Sequence, residues 1–116
     1  MKFPMTAALA GLAAALALSA AARADDEATV KAGSAVFEKW CAPCHSPGPG
    51  HPGTQALAAL YKGAKPAPLE ERTDLTPEFL KNFVRHGVSV MPPFRKTEVS
   101  DADLAALTAY LTRTKR

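Results

Sequence analysis

The sequence predicts an all-α domain of three to four short helices joined by long loops. Apolar side chains recur at three- and four-residue spacing, as on one face of a helix, within residues 30–40, 76–87 and 100–111. The stretches between these segments are rich in Pro and Gly, and none has the alternating pattern of a strand. A chain of 116 residues has room for one small domain and no second core.

The first 24 residues have the pattern of an export signal. Lys2 supplies a positive flank, residues 7–22 form an almost unbroken apolar run, and Ala22-Arg23-Ala24 matches a small-residue cleavage site. The alternative is a retained membrane anchor, but a run of roughly 16 residues is shorter than the approximately 20 that span a bilayer. The sequence therefore predicts a cleaved signal peptide over 1–24, a mature domain over 25–116 without a membrane span, and a periplasmic location.

The charge balance argues against one class of partner. The full chain has 14 basic and 11 acidic residues. The predicted signal peptide contains two of the basic residues, Lys2 and Arg23, and no acidic one, so the mature domain has a net charge of +1. Nucleic-acid binding requires Lys and Arg clustered over a broad face. We therefore expect no nucleic-acid partner.

The two cysteines of the chain lie three residues apart, and a histidine follows the second: Trp40-Cys41-Ala42-Pro43-Cys44-His45. Cys-x-x-Cys-His is the signature of covalent haem attachment. The spacing suits this chemistry because two thiols must reach the two vinyl groups of one porphyrin, while the next residue places its imidazole at the iron. The motif predicts one covalent haem c, bound through Cys41 and Cys44, with His45 as the proximal ligand.

Two other interpretations of the cysteine pair are open. A thioredoxin-like dithiol also contains Trp-Cys-x-Pro-Cys, but it requires a buried strand leading into the motif. Here Val30, Val36, Phe37 and Trp40 recur at helical spacing, so a helix is predicted before Cys41. A structural disulfide across so short a loop would restrict little chain entropy. Haem attachment is the favoured interpretation.

The sixth position of the iron has three candidate ligands, His51, His86 and Met91. His51 follows His45 too closely in sequence to reach the other face of the haem easily, and His86 ends a predicted helix. Met91 precedes two prolines, which fix φ and give a stiff, extended loop that can hold a thioether against the iron. Met91 is therefore the predicted axial ligand, and an ordinary core methionine is the alternative.

The segments between these motifs alternate loops with short helices. Residues 46–53 are too rich in Pro and Gly for a helix and predict a loop beside the haem. Residues 54–61 are compatible with a short helix, and residues 65–72 are interpreted as an exposed, charged linker.

Start and stop signals define the last two helices. Thr76 followed by Pro77 predicts the start of one helix, and Gly87 predicts its end. Ser100 with Asp103 three residues later predicts the cap of the final helix.

The chain resembles the class I, mitochondrial-type monohaem cytochromes c between Gly33 and Leu111. The residues that carry the resemblance occur in the order expected of that family: Gly33, Phe37, Cys41, Cys44, His45, Met91, Pro92 and Tyr110. The resemblance implies the cytochrome c fold and a crossing of the first and last helices at Gly33, Phe37, Leu107 and Tyr110. It also implies a loop carbonyl that accepts a hydrogen bond from the His45 imidazole, for which Pro52 is the candidate.

The function implied by these residues is one-electron transfer through a His/Met-ligated haem, without a catalytic reaction. The chain resembles the small periplasmic cytochrome subunits of flavoprotein dehydrogenases such as 4-cresol and eugenol hydroxylases. A flavoprotein or quinoprotein dehydrogenase is the expected donor, and another cytochrome, a copper protein or an oxidase the expected acceptor. A haem sensor or enzyme with an open iron site, and a dithiol oxidoreductase, are the alternatives.

The last expectation concerns charge beside the Met91 loop. Four basic residues flank that loop in sequence: Lys81, Arg85, Arg95 and Lys96. They form either a basic rim that orients an acidic partner or an ordinary solvated surface.

Overall fold

A computed structural model describes residues 6–113, apart from the side chains at 6–12 and 25. Its elements in chain order are α1 (Thr6–Trp40), α2 (Ala42–His45), α3 (Pro52–Tyr61), a 3-10 turn (Leu69–Glu71), α4 (Pro77–His86) and α5 (Asp101–Thr112). Within this part of the chain the only extended pairing is an isolated bridge between Val88 and Met91. The predicted all-α fold with long loops is confirmed.

The first helix is longer than the segment that periodicity singled out. α1 runs for 35 residues, so residues 6–24 continue the helix that enters the cysteine motif. Within residues 13–24 of this extension the apolar side chains are exposed, including Leu16 and Leu18. The predicted positive flank at Lys2 lies outside the described residues. No helix within residues 6–113 combines the length and apolar character needed to cross a membrane.

The core forms where α1 crosses α5. A Cβ added at Gly33 would lie 2.6 Å from the carbonyl carbon of Ala106 and 2.7 Å from Cβ of Tyr110, so the two backbones touch at a residue without a side chain. Phe37 is fully buried, and its ring centroid lies 5.9 Å from that of Tyr110. Leu107 is also buried. The helix crossing implied by the resemblance is confirmed.

Both predicted caps are present. Thr76 Oγ1 accepts a hydrogen bond from Phe79 N at 3.2 Å, and Pro77 occupies the first turn of α4, where no backbone donor is required. Ser100 Oγ accepts from Asp103 N at 3.0 Å, and the Asp103 carboxylate accepts from Ser100 N at 3.2 Å. This reciprocal pair is a capping box, which fixes where α5 begins.

Candidate functional site

The Cys-x-x-Cys-His segment is a single helical turn placed directly after α1. Cys41 N donates to Phe37 O at 2.8 Å, which continues the α1 ladder, and His45 N donates to Cys41 O at 2.9 Å. Cys41 is half-buried and Cys44 is exposed. A helix therefore enters the motif, as the sequence predicted, and the two cysteines and the histidine lie within one turn.

An apolar cleft of about 290 Å³ adjoins this turn. Cys41 and His45 line it from the motif, and Met91 lines it from the loop between α4 and α5, about 50 residues later in the chain. Tyr61 and Arg72 add polar groups. The other lining residues are hydrocarbon side chains: Leu57, Leu60, Leu69, Leu75, Phe79, Leu80, Phe83, Val84, Val88, Leu107 and Leu111. The donor set and the apolar lining fit a haem.

His45 occupies a confined position. Its Nδ1 atom is buried, and no group among residues 6–113 forms a hydrogen bond with it. A Cβ at Gly53 would lie 2.7 Å from His45 Cε1 and 2.9 Å from Nδ1, so this glycine lies against the ring. Burial lowers the pKa of His45 and favours the neutral imidazole, which is the form that binds metal.

The predicted hydrogen bond from His45 to the Pro52 carbonyl is not formed. Pro52 is the first residue of α3, and the carbonyls of a helix point along its axis toward the following turn. The helix begins two residues earlier than the segment that composition favoured, and this change of boundary redirects the carbonyl.

The two other histidines have local partners. His51 Nδ1 lies 3.1 Å from Pro43 O, and His86 Nδ1 lies 2.9 Å from Asn82 O on an exposed part of α4. Neither histidine lines the cleft, whereas Met91 does. The tertiary structure thus places one of the three candidate axial ligands beside the cysteine motif.

The pKa of the Cys41 thiol is shifted in the opposite direction from that of a redox-active dithiol. Burial, and secondly the neighbouring Cys44, raise its pKa to about 12. Reactive thiols of thioredoxin-like proteins have a lowered pKa and follow a strand. A half-buried thiol with a raised pKa, directly after a helix, does not match that class of site.

Arg72 is a part of the site that sequence reasoning missed. The composition of residues 65–72 predicts an exposed linker, but Arg72 is only 4% exposed and lines the cleft. Its guanidinium donates to Asp74 through Nε and Nη2, both at 2.8 Å, and to the Tyr61 hydroxyl through Nη1 at 2.9 Å. These bonds make burial of the charge tolerable. In the sequence, the spacing of Arg72 and Asp74, two residues apart, is the feature that could have indicated a buried ion pair.

Three of the four basic residues near Met91 form ion pairs with acidic residues of the same region. Arg85 and Lys96 both pair with Asp101, and Arg95 pairs with Glu98. Two acids thus offset two of the four positive charges, and the Lys96 and Arg95 side chains remain 72% and 78% exposed, so the basic rim stays a prediction.

A helical fold closed by the α1–α5 crossing, with a Cys-x-x-Cys-His turn and a Met-bearing loop on one apolar cleft, defines a single-haem c-type cytochrome. The family model described as "Cytochrome C oxidase, cbb3-type, subunit III" matches residues 28–111, and the chain belongs to this cytochrome c family. It binds haem c covalently and functions in haem-based electron transfer. No significant match was found among curated proteins or among solved structures.

Proposed function

We propose that the chain is a periplasmic one-electron carrier whose haem is attached to Cys41 and Cys44 and ligated by His45 and Met91. One observation carries the proposal: Cys41, His45 and Met91 line the same apolar cleft although they come from two distant segments. Haem c supplies reversible one-electron chemistry at its iron. Ligands on both sides of the iron leave no coordination position for a substrate, which favours a carrier over an enzyme or gas sensor.

The residues around the cleft would tune this chemistry. A hydrocarbon lining disfavours the additional charge of the ferric state, and a thioether ligand acts in the same direction, so both raise the reduction potential. Arg72 and the Tyr61 hydroxyl are the polar groups in the lining that would hold a carboxylate of the haem, because each has hydrogen-bond donors.

The proposal includes removal of residues 1–24 on export. Its support is the positive flank, the short apolar run and the Ala22-Arg23-Ala24 site. The preferred electron donor is a flavoprotein dehydrogenase, on the basis of the overall resemblance to the small cytochrome subunits of those enzymes. Another cytochrome, a copper protein or an oxidase would accept the electron.

The family description favours a second candidate partner. Membership of a family named after a subunit of cbb3-type cytochrome oxidase supports electron delivery within a terminal oxidase. A tagged chain purified from its native cells separates the two candidates: co-purification with a flavoprotein and reduction by that enzyme's substrate supports the first, and co-purification with a membrane oxidase supports the second.

The haem site is tested by spectroscopy of the full chain, expressed with haem-attachment machinery. We expect covalent haem that resists acid-acetone extraction, a sharp reduced α-band, and the weak far-red ferric band that reports sulfur coordination. Met91→Ala should abolish the far-red band and retain the covalent haem. His86→Ala is the matched control and should leave the spectrum unchanged.

Other outcomes select the alternatives. Covalent haem without the sulfur band in the unmodified chain would indicate an open iron site or two histidine ligands. Absence of covalent haem would favour the alternative that the cysteine pair is a redox-active dithiol.

A further inference from the structure

The loop that carries Met91 turns back on Val88 and packs closely against Gly87. Met91 N donates to Val88 O at 2.9 Å, and Val88 N donates to Met91 O at 3.1 Å, so these backbone bonds stay within one turn. The side chains of Val88 and Val90 are 52% and 91% exposed. Contacts further along the chain therefore also bear on where Met91 lies relative to the cleft.

Phe94 is the nearest fixed point after Met91. Its backbone N donates at 2.8 Å to the carbonyl of Val84, which the end of α4 leaves without an intrahelical partner. Its ring makes an edge contact with Trp40, the residue before Cys41, at a centroid distance of 5.9 Å. Pro92 and Pro93 connect Met91 to Phe94 and restrict φ at both positions, so the position of Phe94 is transmitted to Met91.

Arg85 also binds the segment that contains Phe94. Its Nη1 donates to Phe94 O at 3.0 Å and to Val99 O at 2.8 Å, and its Nη2 donates to Asp101 at 2.9 Å. The side chain is 19% exposed. One guanidinium therefore joins α4, the segment after the Met91 loop and the first residue of α5.

We propose that Arg85 is a positioning residue for the axial methionine, which it holds at the cleft by anchoring the Phe94 and Val99 carbonyls. The inference rests on the proposed Met91 ligand and extends it to a residue that contacts neither the cleft nor the thioether. Lys96 offers a natural comparison, because it pairs with the same Asp101 carboxylate at 2.7 Å and is itself highly exposed.

The experiment measures how readily added imidazole replaces the methionine, by loss of the far-red sulfur band in the ferric protein at one fixed pH. Arg85→Met, Arg85→Lys, Lys96→Met and the unmodified holoprotein are compared. We expect Arg85→Met to require about tenfold less imidazole, because a hydrogen bond to a charged group is worth about one decade in an equilibrium constant. Lys96→Met should stay within about twofold of the unmodified protein, as is usual for an exposed position.

Arg85→Lys tests rescue, since lysine keeps the charge but cannot reproduce the fork of donors. It should fall between the unmodified protein and Arg85→Met. Thermal unfolding of the reduced holoproteins is measured in parallel, and a general loss of stability would lower the unfolding temperature without a selective gain in imidazole affinity.

The inference is overturned if both Arg85 variants bind imidazole like Lys96→Met. Should Arg85→Met fail to accumulate as holoprotein, the comparison of Arg85→Lys with Lys96→Met decides in the same way. A missing sulfur band in the unmodified protein is a different failure, because it removes Met91 as the ligand and contradicts the proposed function itself.

Discussion

Gly53 lies against the imidazole of His45 so closely that a Cβ at position 53 would stand 2.7 Å from ring atom Cε1. The same Cβ would lie 2.8 Å from the backbone carbonyl of Cys44. The carbonyl belongs to α2 and has little freedom to move, so an added methyl group must displace the ring. The first turn of α3 thus restricts the orientation of the proposed proximal ligand through close packing.

Gly53→Ala is therefore expected to disturb the haem and to reduce stability by about 1–3 kcal/mol, the usual cost of overpacking. Absorption spectra and thermal unfolding of the holoprotein measure the two effects. Gly50→Ala is the control, because Gly50 has a φ of 85° but no atom within 4 Å of the added Cβ. Equal spectral changes in both variants would show that loop strain, and not contact with His45, is responsible.

Gly87→Ala is expected to release Met91 from the iron. Gly87 has a φ of 68°, and its added Cβ would collide with the Met91 carbonyl oxygen and lie 2.9 Å from both Pro92 C and Pro93 N. These are backbone atoms, so the loop must move as a whole. The far-red sulfur band of the ferric protein should be weakened or lost.

Gly63→Ala is the matched control for Gly87→Ala. Gly63 also has a positive φ, 84°, but its added Cβ meets nothing within 4 Å. It should lose about 1–2 kcal/mol from left-handed strain alone and keep the sulfur band. If Gly87→Ala retained a full band, the steric account of this turn would be wrong.

Phe37→Ala is expected to lower the free energy of unfolding by about 3–5 kcal/mol, since the side chain is fully buried where α1 meets α5. Phe37→Leu keeps most of the apolar volume and should lose about 1.5 kcal/mol or less. Denaturant titration of the reduced holoproteins gives both values. Similar losses in the two variants would indicate that the aromatic contact with Tyr110, and not buried volume, stabilises the crossing.

Because of the ion pair at Asp74, we expect part of the free energy of unfolding to depend on pH in the acidic range. Hydrogen bonds from Arg72, and secondly from Lys65, hold the pKa of the Asp74 carboxyl well below its ordinary value of 3.8. A group with a lowered folded-state pKa stabilises the fold above its unfolded pKa, and this contribution is lost as the pH falls through the folded value. The side chain is 43% exposed, so solvent screening limits the effect to roughly 1 kcal/mol.

Asp74→Asn should therefore be less stable than the unmodified protein by that amount between about pH 5 and 7, and the difference should shrink below about pH 4. Urea unfolding across this range measures it. Thr73→Ala, at the adjacent exposed position, should give a difference that does not vary with pH. A constant difference for Asp74→Asn would mean that the carboxylate charge contributes nothing.

Most of the helices follow from local rules and were therefore predictable. The caps at Thr76 and Ser100 act within three residues, and the apolar spacing of α4 and α5 reports burial on one face of each helix. The cysteine motif is likewise local, so its place at the end of a helix could be expected. The assignment of Cys41, Cys44, His45 and Met91 to haem remains a proposal that the Met91→Ala spectrum tests.

The sequence by itself determined the helical class, the cysteine turn and the short set of possible axial ligands, because each depends on residues a few positions apart. Only the tertiary structure decided which polar groups are buried and which charges are paired. Arg72 reaches Tyr61 across 11 positions, and Arg85 reaches Asp101 across 16. Such contacts depend on how the loops bring distant segments together. Local patterns in a single sequence do not predict the course of these loops.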